Sequence, residues 1–305
     1  MKIGVIGAGA VGVGVCNYLL TLGSVSELVL FDQNLERAEG EVFDFRHTAA
    51  LTFSKNTRII PSDDYLDLLG ADIVVMTAGA QIRQGQTRLD IAEINAKIGV
   101  EIARKIERVA PKAVLIVVSN PCDIVAHFIT TNTGFEPNKV ISSGCVIDTA
   151  RLMSIVANRV DLDPKNIFGY VLGEHGSHCF TPKSLNTHNI ERIDADELLE
   201  AVKQAGYEIF RRKHNTVHGI AASVFRIIQA IKINERSVLP VGTMMSGQYG
   251  VSGVVLSLPT VVGKKGAESV LTHPFTEEEL ETLHSISMNL RSIVENVAQS
   301  TGLKC

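Results

Sequence analysis

The chain contains no tryptophan, and aromatic residues fill only 5% of its 305 positions. Lys and Arg number 29 against 33 Asp and Glu, and no basic run is interleaved with aromatics, so nothing points to a nucleic-acid partner. No stretch of about 18 consecutive apolar residues occurs, and a membrane span is therefore not expected. Only a few apolar residues follow Lys2 before the first glycines, which reads as a strand and not as a signal peptide. There is no CxxC pair. The five cysteines, Cys16, Cys122, Cys145, Cys179 and Cys305, are scattered and odd in number, a pattern of reduced thiols in a cytoplasmic protein rather than of a disulfide framework or zinc site. Internal repeats, low-complexity tracts and flexible linkers are also missing. What remains is 45% hydrophobic with a net charge of −4, an ordinary globular composition long enough for one large or two medium domains.

The most informative stretch is the first. Lys2-Ile3-Gly4-Val5-Ile6 reads as a strand and runs into Gly7-Ala8-Gly9-Ala10-Val11-Gly12, the spacing of a dinucleotide-binding turn. Residues 13–22 carry apolar side chains at helical spacing, and residues 27–31 read as a second strand that ends on Asp32, twenty residues after Gly12. Each position has a physical task in such a unit. Gly7 permits the tight turn, Gly9 lets the backbone approach a pyrophosphate, and Gly12 lets helix and strand pack closely. The helix N-terminus offers N–H groups and partial positive charge to the phosphates. Asp32 accepts from the ribose hydroxyls and, with Gln33 and Asn34 after it and no Arg beside it, favours NAD over NADP.

Further along, 35–50 reads as a helix, 58–60 as a strand, and 71–76 as a buried strand ending on Thr77-Ala78-Gly79-Ala80. The polar segment 81–88 suits a lid. A helix over 89–109 stops before Pro111, and a strand over 113–118 ends on Ser119-Asn120-Pro121-Cys122-Asp123. Residues 139–141 read as the last strand of the sheet. Alternating strands and helices predict a Rossmann-type doubly wound parallel sheet, with ligands at the carboxyl ends of its strands. Then the pattern changes: a helix over 147–160, a strand over 167–172, Gly173-Glu174-His175-Gly176, helices over 196–212 and 216–231, a hairpin-like pair over 237–262, and a long helix over 277–299. This predicts an NAD-binding domain over 1–145 and an α+β substrate-binding and catalytic domain over 146–305.

Five segments, in order and at matching spacings, resemble the successive motifs of the L-lactate and malate dehydrogenase family. They are Gly7 to Gly12; Thr77-Ala78-Gly79-Ala80 with Gly85 and Arg88; Ser119-Asn120-Pro121-Cys122-Asp123; Ile147-Asp148-Thr149-Ala150-Arg151; and Gly173-Glu174-His175-Gly176. The similarity spans the chain from Met1 to the terminal helix. It implies an NAD-dependent oxidoreductase acting on the CH–OH of a 2-hydroxy acid, a cytoplasmic homodimer or homotetramer working in glycolysis and fermentation. Oxidising a secondary alcohol removes a proton from oxygen as hydride leaves carbon, which needs a base tuned near neutral pH. The family pattern gives that task to His175, with Asp148 holding its other ring nitrogen. Arg151 grips the substrate carboxylate through its planar fork, and Arg88 polarises the reacting carbonyl. Asn120 bonds the same oxygen or the nicotinamide ribose. Gly7, Gly9, Ala10, Val11, Gly12, Asp32, Thr77, Ala78, Gly79, Asn120 and Ile220 form the implied cofactor site, with Ile220 against the nicotinamide ring. No metal site is expected: His214 and His218 lack the glutamate of an HExxH helix, and His175 with His178 offers too few ligands.

Substrate choice is implied by the lid position that Ile82 occupies. Malate dehydrogenases carry Arg there and lactate dehydrogenases typically Gln; an apolar side chain leaves a second substrate carboxylate without a partner. Thr216 and Glu174 are lactate-like. The implied activity is L-lactate dehydrogenase, with larger or branched 2-oxo acids (2-hydroxyisocaproate type) as the alternative and malate third. Where the family has Asp-Ser after the His-Gly, this chain has Ser177-His178. Positions that in many bacterial relatives hold fructose 1,6-bisphosphate are Met153 and Phe168, so activation by that effector is not expected. Two further readings differ in kind. The NAD-dependent glycosidases of this fold need a metal held by Cys and His, and a non-catalytic NAD sensor has no reason to keep His175, Asp148, Arg88 and Arg151 together.

Overall fold

The carboxyl ends of two neighbouring strands, β1 (Lys2–Ile6) and β4, hold the loops on which the site is built. The computed structural model describes residues 1–23, 25–51, 56–81, 87–186 and 194–305. After β1 come α1 (Ala10–Thr21), β2 (Glu27–Phe31), α2 (Leu35–Thr48), β3 (Arg58–Ser62), β4 (Ile73–Met76), α3 (Arg88–Val109), β5 (Val114–Val117), α4 (Cys122–Asn132) and β6 (Val140–Ser142). These strands are parallel in the order β3-β2-β1-β4-β5-β6. The order reverses between β1 and β4, so the crevice outside their carboxyl ends is the switch point where dinucleotides bind in such sheets. Buried on both faces, β4 (Ile-Val-Val-Met) and β5 (Val-Leu-Ile-Val) are unbroken apolar runs. Each fully buried Ile, Leu or Val adds about 1.5–3 kcal/mol.

The second half comprises α5 (Val146–Val160), β7 (Leu172–Gly173), β8 (Cys179–Phe180), α6 (Ala195–Lys213), α7 (His218–Lys232), β9 (Ser237–Leu239), β10 (Gly242–Ser246), β11 (Ser252–Ser257), β12 (Thr260–Gly263), β13 (Gly266–Val270) and α8 (Glu277–Thr301). Helix α7 lies on α1, where Gly14 leaves room: a β-carbon there would stand 2.9 Å from Val217 and 3.2 Å from Ala221. Tyr18 and Phe225 stack across the same contact with centroids 5.7 Å apart. This packing sets the start of α7 against the first half of α1. Among the described residues no helix is long and apolar enough to cross a membrane.

Several local expectations are corrected. Strand β6 is the last parallel strand but not the end of the sheet, because β10 pairs antiparallel with it through Gly242 and Ser142 and is followed by β11, β7 and β8. That partner comes from far along the chain, beyond the reach of a local pattern. Of the strand expected over 167–172 only its end is found, in β7. The N–H of Tyr170 goes to Asn186 Oδ1 (2.9 Å) and that of Val171 to Thr149 Oγ1 (3.0 Å), so side chains take the bonds a ladder would use. The hairpin-like pair over 237–262 is four strands in two sheets: β10 and β11 extend the large sheet, while β9 and β12 form a second sheet with β13. Helix α4 has no counterpart in the sequence reading because residues 122–129 are all buried, which erases the amphipathic period. Helix α7 begins at His218 and not at Thr216, since Val217 (φ −125°, ψ −63°) is not helical.

Candidate active site

At the end of β1 the chain turns at Gly7, whose φ of +107° favours glycine. Gly12, one turn into α1, faces back onto this loop; a β-carbon on it would collide with the Gly7 carbonyl oxygen. Gly9 differs, since the space a β-carbon would enter is open. That open face is the approach a pyrophosphate needs. Helix α1 starts at Gly9 without a side-chain cap and with no acidic residue in its first turn, which keeps its leading N–H groups for an anion. Ala10 is exposed and Val11 half-buried at this opening. The Asp32 carboxylate lies beside the loop, with Oδ2 accepting from the Ala8 N–H (2.8 Å) and Oδ1 from that of Asn34 (3.0 Å). It therefore fixes the loop as well as flanking it.

The loops after β4 and β5 are tied into the same crevice. Thr77 Oγ1 donates to the Ile6 carbonyl (2.9 Å), and Ser119 Oγ to that of Ala78 (2.5 Å). Asn95, which the sequence reading did not single out, binds both chain segments: Oδ1 accepts from Ala80 N–H (2.7 Å), and Nδ2 donates to the carbonyls of Ala80 (3.0 Å) and Asn120 (2.6 Å). Gly79 packs where a β-carbon would crowd Asn95 and Ser119. Asn120 itself is exposed at the mouth. Ile82, Arg83 and Gly85 lie outside the described residues, as does the side chain of Arg88, the first residue of α3.

The second half brings three of the expected residues into one chain of contacts. Asp148 and Arg151 stand one turn apart on α5, with Arg151 Nη1 2.8 Å from Asp148 Oδ1. The other carboxylate oxygen, Oδ2, is 2.6 Å from His175 Nδ1. His175 projects from the turn between β7 and β8, flanked by Gly173 (φ +104°) and Gly176 (φ +122°). Burial opposes the charged forms of Asp148 and His175, but their partners prevail. The Asp148 carboxyl is held below the usual carboxylate range by His175 and Arg151, and the His175 imidazole is raised above its ordinary value by Asp148. With Nδ1 so engaged, Nε2 is left for proton exchange.

Arg151 Nε is buried without a hydrogen-bond partner among the described residues. Gly206 on α6 leaves space for the guanidinium: a β-carbon there would be 3.0 Å from Nη2. Arg151, Thr216 and Ile220 together line a largely apolar, open cavity of about 400 Å³ between α5, α6 and α7, whose walls include Ile147, Ile155 and Ile209. A cavity of about 460 Å³ lined by Arg104, Glu107, Arg108 and Lys304 shares none of these residues. Cys122 is buried, and burial followed by the Asp123 charge raises its thiol far from the reactive thiolate. His178, at the position that departs from the family pattern, pairs with Glu174 (Nδ1 to Oε2, 2.7 Å). Asp123, quoted above only as part of a motif, makes contacts with the His175 turn that sequence alone did not suggest. Its place after Pro121 at the start of α4, at the carboxyl edge of the sheet, was the available signal.

Comparison with known proteins agrees over nearly the whole length. Residues 1–142 match the family described as lactate/malate dehydrogenase, NAD binding domain. Residues 145–301 match its alpha/beta C-terminal domain. The chain is 38% identical to the L-lactate dehydrogenase of Acetivibrio thermocellus, with 97% of each chain covered. It is 36% identical to L-lactate dehydrogenase 2 of Clostridium acetobutylicum, again over 97% of each. Among solved structures, the minor L-lactate dehydrogenase of Enterococcus mundtii superposes with a TM-score of 0.92 at 31% identity, covering 97% of this chain and 98% of that one. The malate dehydrogenase of Archaeoglobus fulgidus in complex with NADH gives a TM-score of 0.90 at 32% identity, covering 98% and 100%.

Proposed function

The chain belongs to the lactate/malate dehydrogenase family, and from that premise we propose that it is an NAD-dependent L-lactate dehydrogenase, interconverting pyruvate and L-lactate. Bound NADH supplies the hydride. The chain's own residues do the rest. His175 donates a proton from Nε2 to the substrate oxygen in reduction and takes it back in oxidation, while Asp148 fixes the ring and stabilises the imidazolium. Arg151 holds the substrate carboxylate as a two-pronged partner, and Thr216 and Ile220 bound the far wall. Arg88 and Asn120 polarise the carbonyl oxygen, and Ile82 meets the substrate side chain. Gly7, Gly9, Ala10, Val11 and Gly12 receive the pyrophosphate, Asp32 the ribose, and Thr77, Ala78, Gly79 and Asn120 the nicotinamide half.

The observation that carries this reading is the linkage of Arg151 and His175 through the two oxygens of one buried carboxylate, Asp148. It sets the anion-gripping and proton-transferring groups at a fixed separation, which suits a substrate with a carboxylate next to its reacting carbon. The division at 145/146, a cytoplasmic location, a role in fermentation and a homodimeric or homotetrameric assembly belong to the same proposal.

The decisive experiment is kcat/KM with NADH for pyruvate, oxaloacetate, 2-oxobutyrate and 2-oxoisocaproate, with and without fructose 1,6-bisphosphate. A preference for pyruvate, unchanged by the bisphosphate, is the expected result. A preference for the longer acids moves the substrate within the same chemistry, and a preference for oxaloacetate overturns the argument from Ile82. NADH binding without turnover of any of the four overturns the enzyme assignment.

A further inference from the structure

His175 sits in the tight turn between β7 and β8. The glycines on either side of it, Gly173 and Gly176, both have positive φ, and the neck of the turn is closed by the Glu174 N–H to His178 carbonyl bond (3.0 Å) and the Glu174–His178 pair. Ahead of the turn, Val171 is tied to Thr149 of α5 and Gly173 pairs with Ser257 of β11. At His175 itself, the main-chain N–H donates to Asp123 Oδ2 of α4 at 2.8 Å.

We propose that Asp123 is a positioning residue for the reaction, holding the His175 backbone so that the ring meets both Asp148 and the substrate oxygen; this rests on the dehydrogenase reading above. Two carboxylates from successive helices then grip one histidine at two atoms, Asp123 of α4 at the main-chain nitrogen and Asp148 of α5 at Nδ1.

The surroundings are built to keep Asp123 in place. Its side chain is buried, and its second oxygen, Oδ1, accepts from the hydroxyl of Ser142 at the end of β6. On the opposite side stands Gly242 of β10, where a β-carbon would collide with Ser142 Oγ and come within 2.5 Å of Asp123 Oδ1. The junction of β6 and β10 thus has a glycine-sized gap at the point where this pair needs space. Burial pushes the Asp123 carboxyl up to about 6, against the Ser142 and His175 bonds that lower it. Near neutral pH it remains an acceptor for both donors.

The test separates geometry from charge. In Asp123→Asn, the amide oxygen still accepts from His175 and its NH2 group donates to Ser142, whose hydroxyl turns to accept. In Asp123→Ala both donors lose their partner and the His175 main chain loses its tie to α4. Asp123→Ala is expected to lower kcat for pyruvate by about 10²-fold, the scale of an ångström-sized misplacement, with NADH affinity unchanged. Asp123→Asn is expected to keep kcat within about threefold, since both bonds are remade. Should the alanine variant fail to fold, Ser142→Ala removes only the hydroxyl that steadies the carboxylate, and a kcat loss of about fivefold at constant NADH affinity is expected.

A second readout is independent of activity. Exchange of the His175 amide hydrogen, followed by NMR in the protein without cofactor, should be slow in the wild type and in Asp123→Asn, faster by about 10²-fold in Asp123→Ala, and faster by about fivefold in Ser142→Ala. Unchanged exchange and unchanged kcat in the alanine variants overturn the proposal. So does an asparagine variant as impaired as alanine at equal NADH affinity, which would make the charge and not the placement responsible. A wild-type chain that reduces no 2-oxo acid refutes the proposed function instead, and leaves the exchange result to judge Asp123.

Discussion

Asp148 Oδ2 and His175 Nδ1 stand 2.6 Å apart with the carboxylate almost wholly buried. Asp148 is the main force raising the His175 pKa against burial, and the Asp123 charge adds to it. Replacing Asp148 by Asn keeps the shape and removes the charge, so the largest force raising the His175 pKa is lost while burial still depresses it. The pH above which pyruvate reduction declines should move down, and kcat/KM should fall by about 10²-fold or more, as for other buried carboxylate–histidine pairs. A pH–rate profile checks both. The pair also ties stability to pH. His175, raised above 6.5, contributes stability fully below that value and loses it as pH rises through the folded pKa; Asp148, lowered below 3.8, contributes above that value and loses it as pH falls. The Asn variant should therefore lose most stability, seen as Tm, near neutral to mildly acid pH.

Gly12 and Gly9 sit three residues apart and should respond to alanine in opposite ways. At Gly12 the new β-carbon meets the Gly7 carbonyl, backbone that cannot yield cheaply. A loss of about 1–3 kcal/mol is expected, together with NADH affinity. At Gly9 there is open space and φ is −80°, so stability should stay within about 0.5 kcal/mol. NADH affinity should nevertheless fall, because the methyl group enters the face reserved for the pyrophosphate. Thermal melts and NADH titrations of the two variants give the comparison; a Gly9→Ala protein with unaltered NADH affinity would refute the cradle.

The nucleotide-binding half was legible in the sequence because its signals are local. A glycine turn, an acid at a strand end and apolar strands separated by helices follow one another without long-range help. Parallel strand order follows from that alternation, and the observed reversal between β1 and β4 agrees with it. The family pattern foresaw the Asp148–His175 contact, but where no motif marks a bond that reaches across the chain, the sequence was mute. Asp123 to His175, Asn95 to Asn120, and Gly242 beside Ser142 join segments 25 to 100 or more residues apart, with nothing in any one segment to reveal the partner. Helix α4 was hidden for the opposite reason, since a helix buried all round has no polar face to mark its period.

Ile82 carries the argument for pyruvate. On the family resemblance it holds the position that meets the substrate's side chain, where an Arg would pair with a second carboxylate. Ile82→Arg should raise kcat/KM for oxaloacetate and lower it for pyruvate, inverting the preference by about 10²-fold or more, because a buried unpaired charge is costly and a paired one is not. An unchanged ratio would mean that this position does not face the side chain, and the case against malate would fall with it.

His127 is buried in α4, and neither ring nitrogen has a hydrogen-bond partner among the described residues. It touches no part of the proposed chemistry. Its consequence is for acid stability. Burial, and then the Arg291 charge, lower its pKa from 6.5 to about 4. The unfolded chain accordingly takes up a proton here at a higher pH than the folded one, so stability is intact above 6.5 and declines as pH falls toward 4. A shift of this size corresponds to about 3 kcal/mol once both states are protonated. Phenylalanine keeps an aromatic ring, slightly larger than the imidazole, next to the Phe128 ring, which His127 already meets edge-on at 5.2 Å. His127→Phe should leave Tm near neutrality little changed and flatten its fall between pH 6.5 and 4. Parallel Tm curves for the two proteins across that interval would show that the buried imidazole does not set the acid limit.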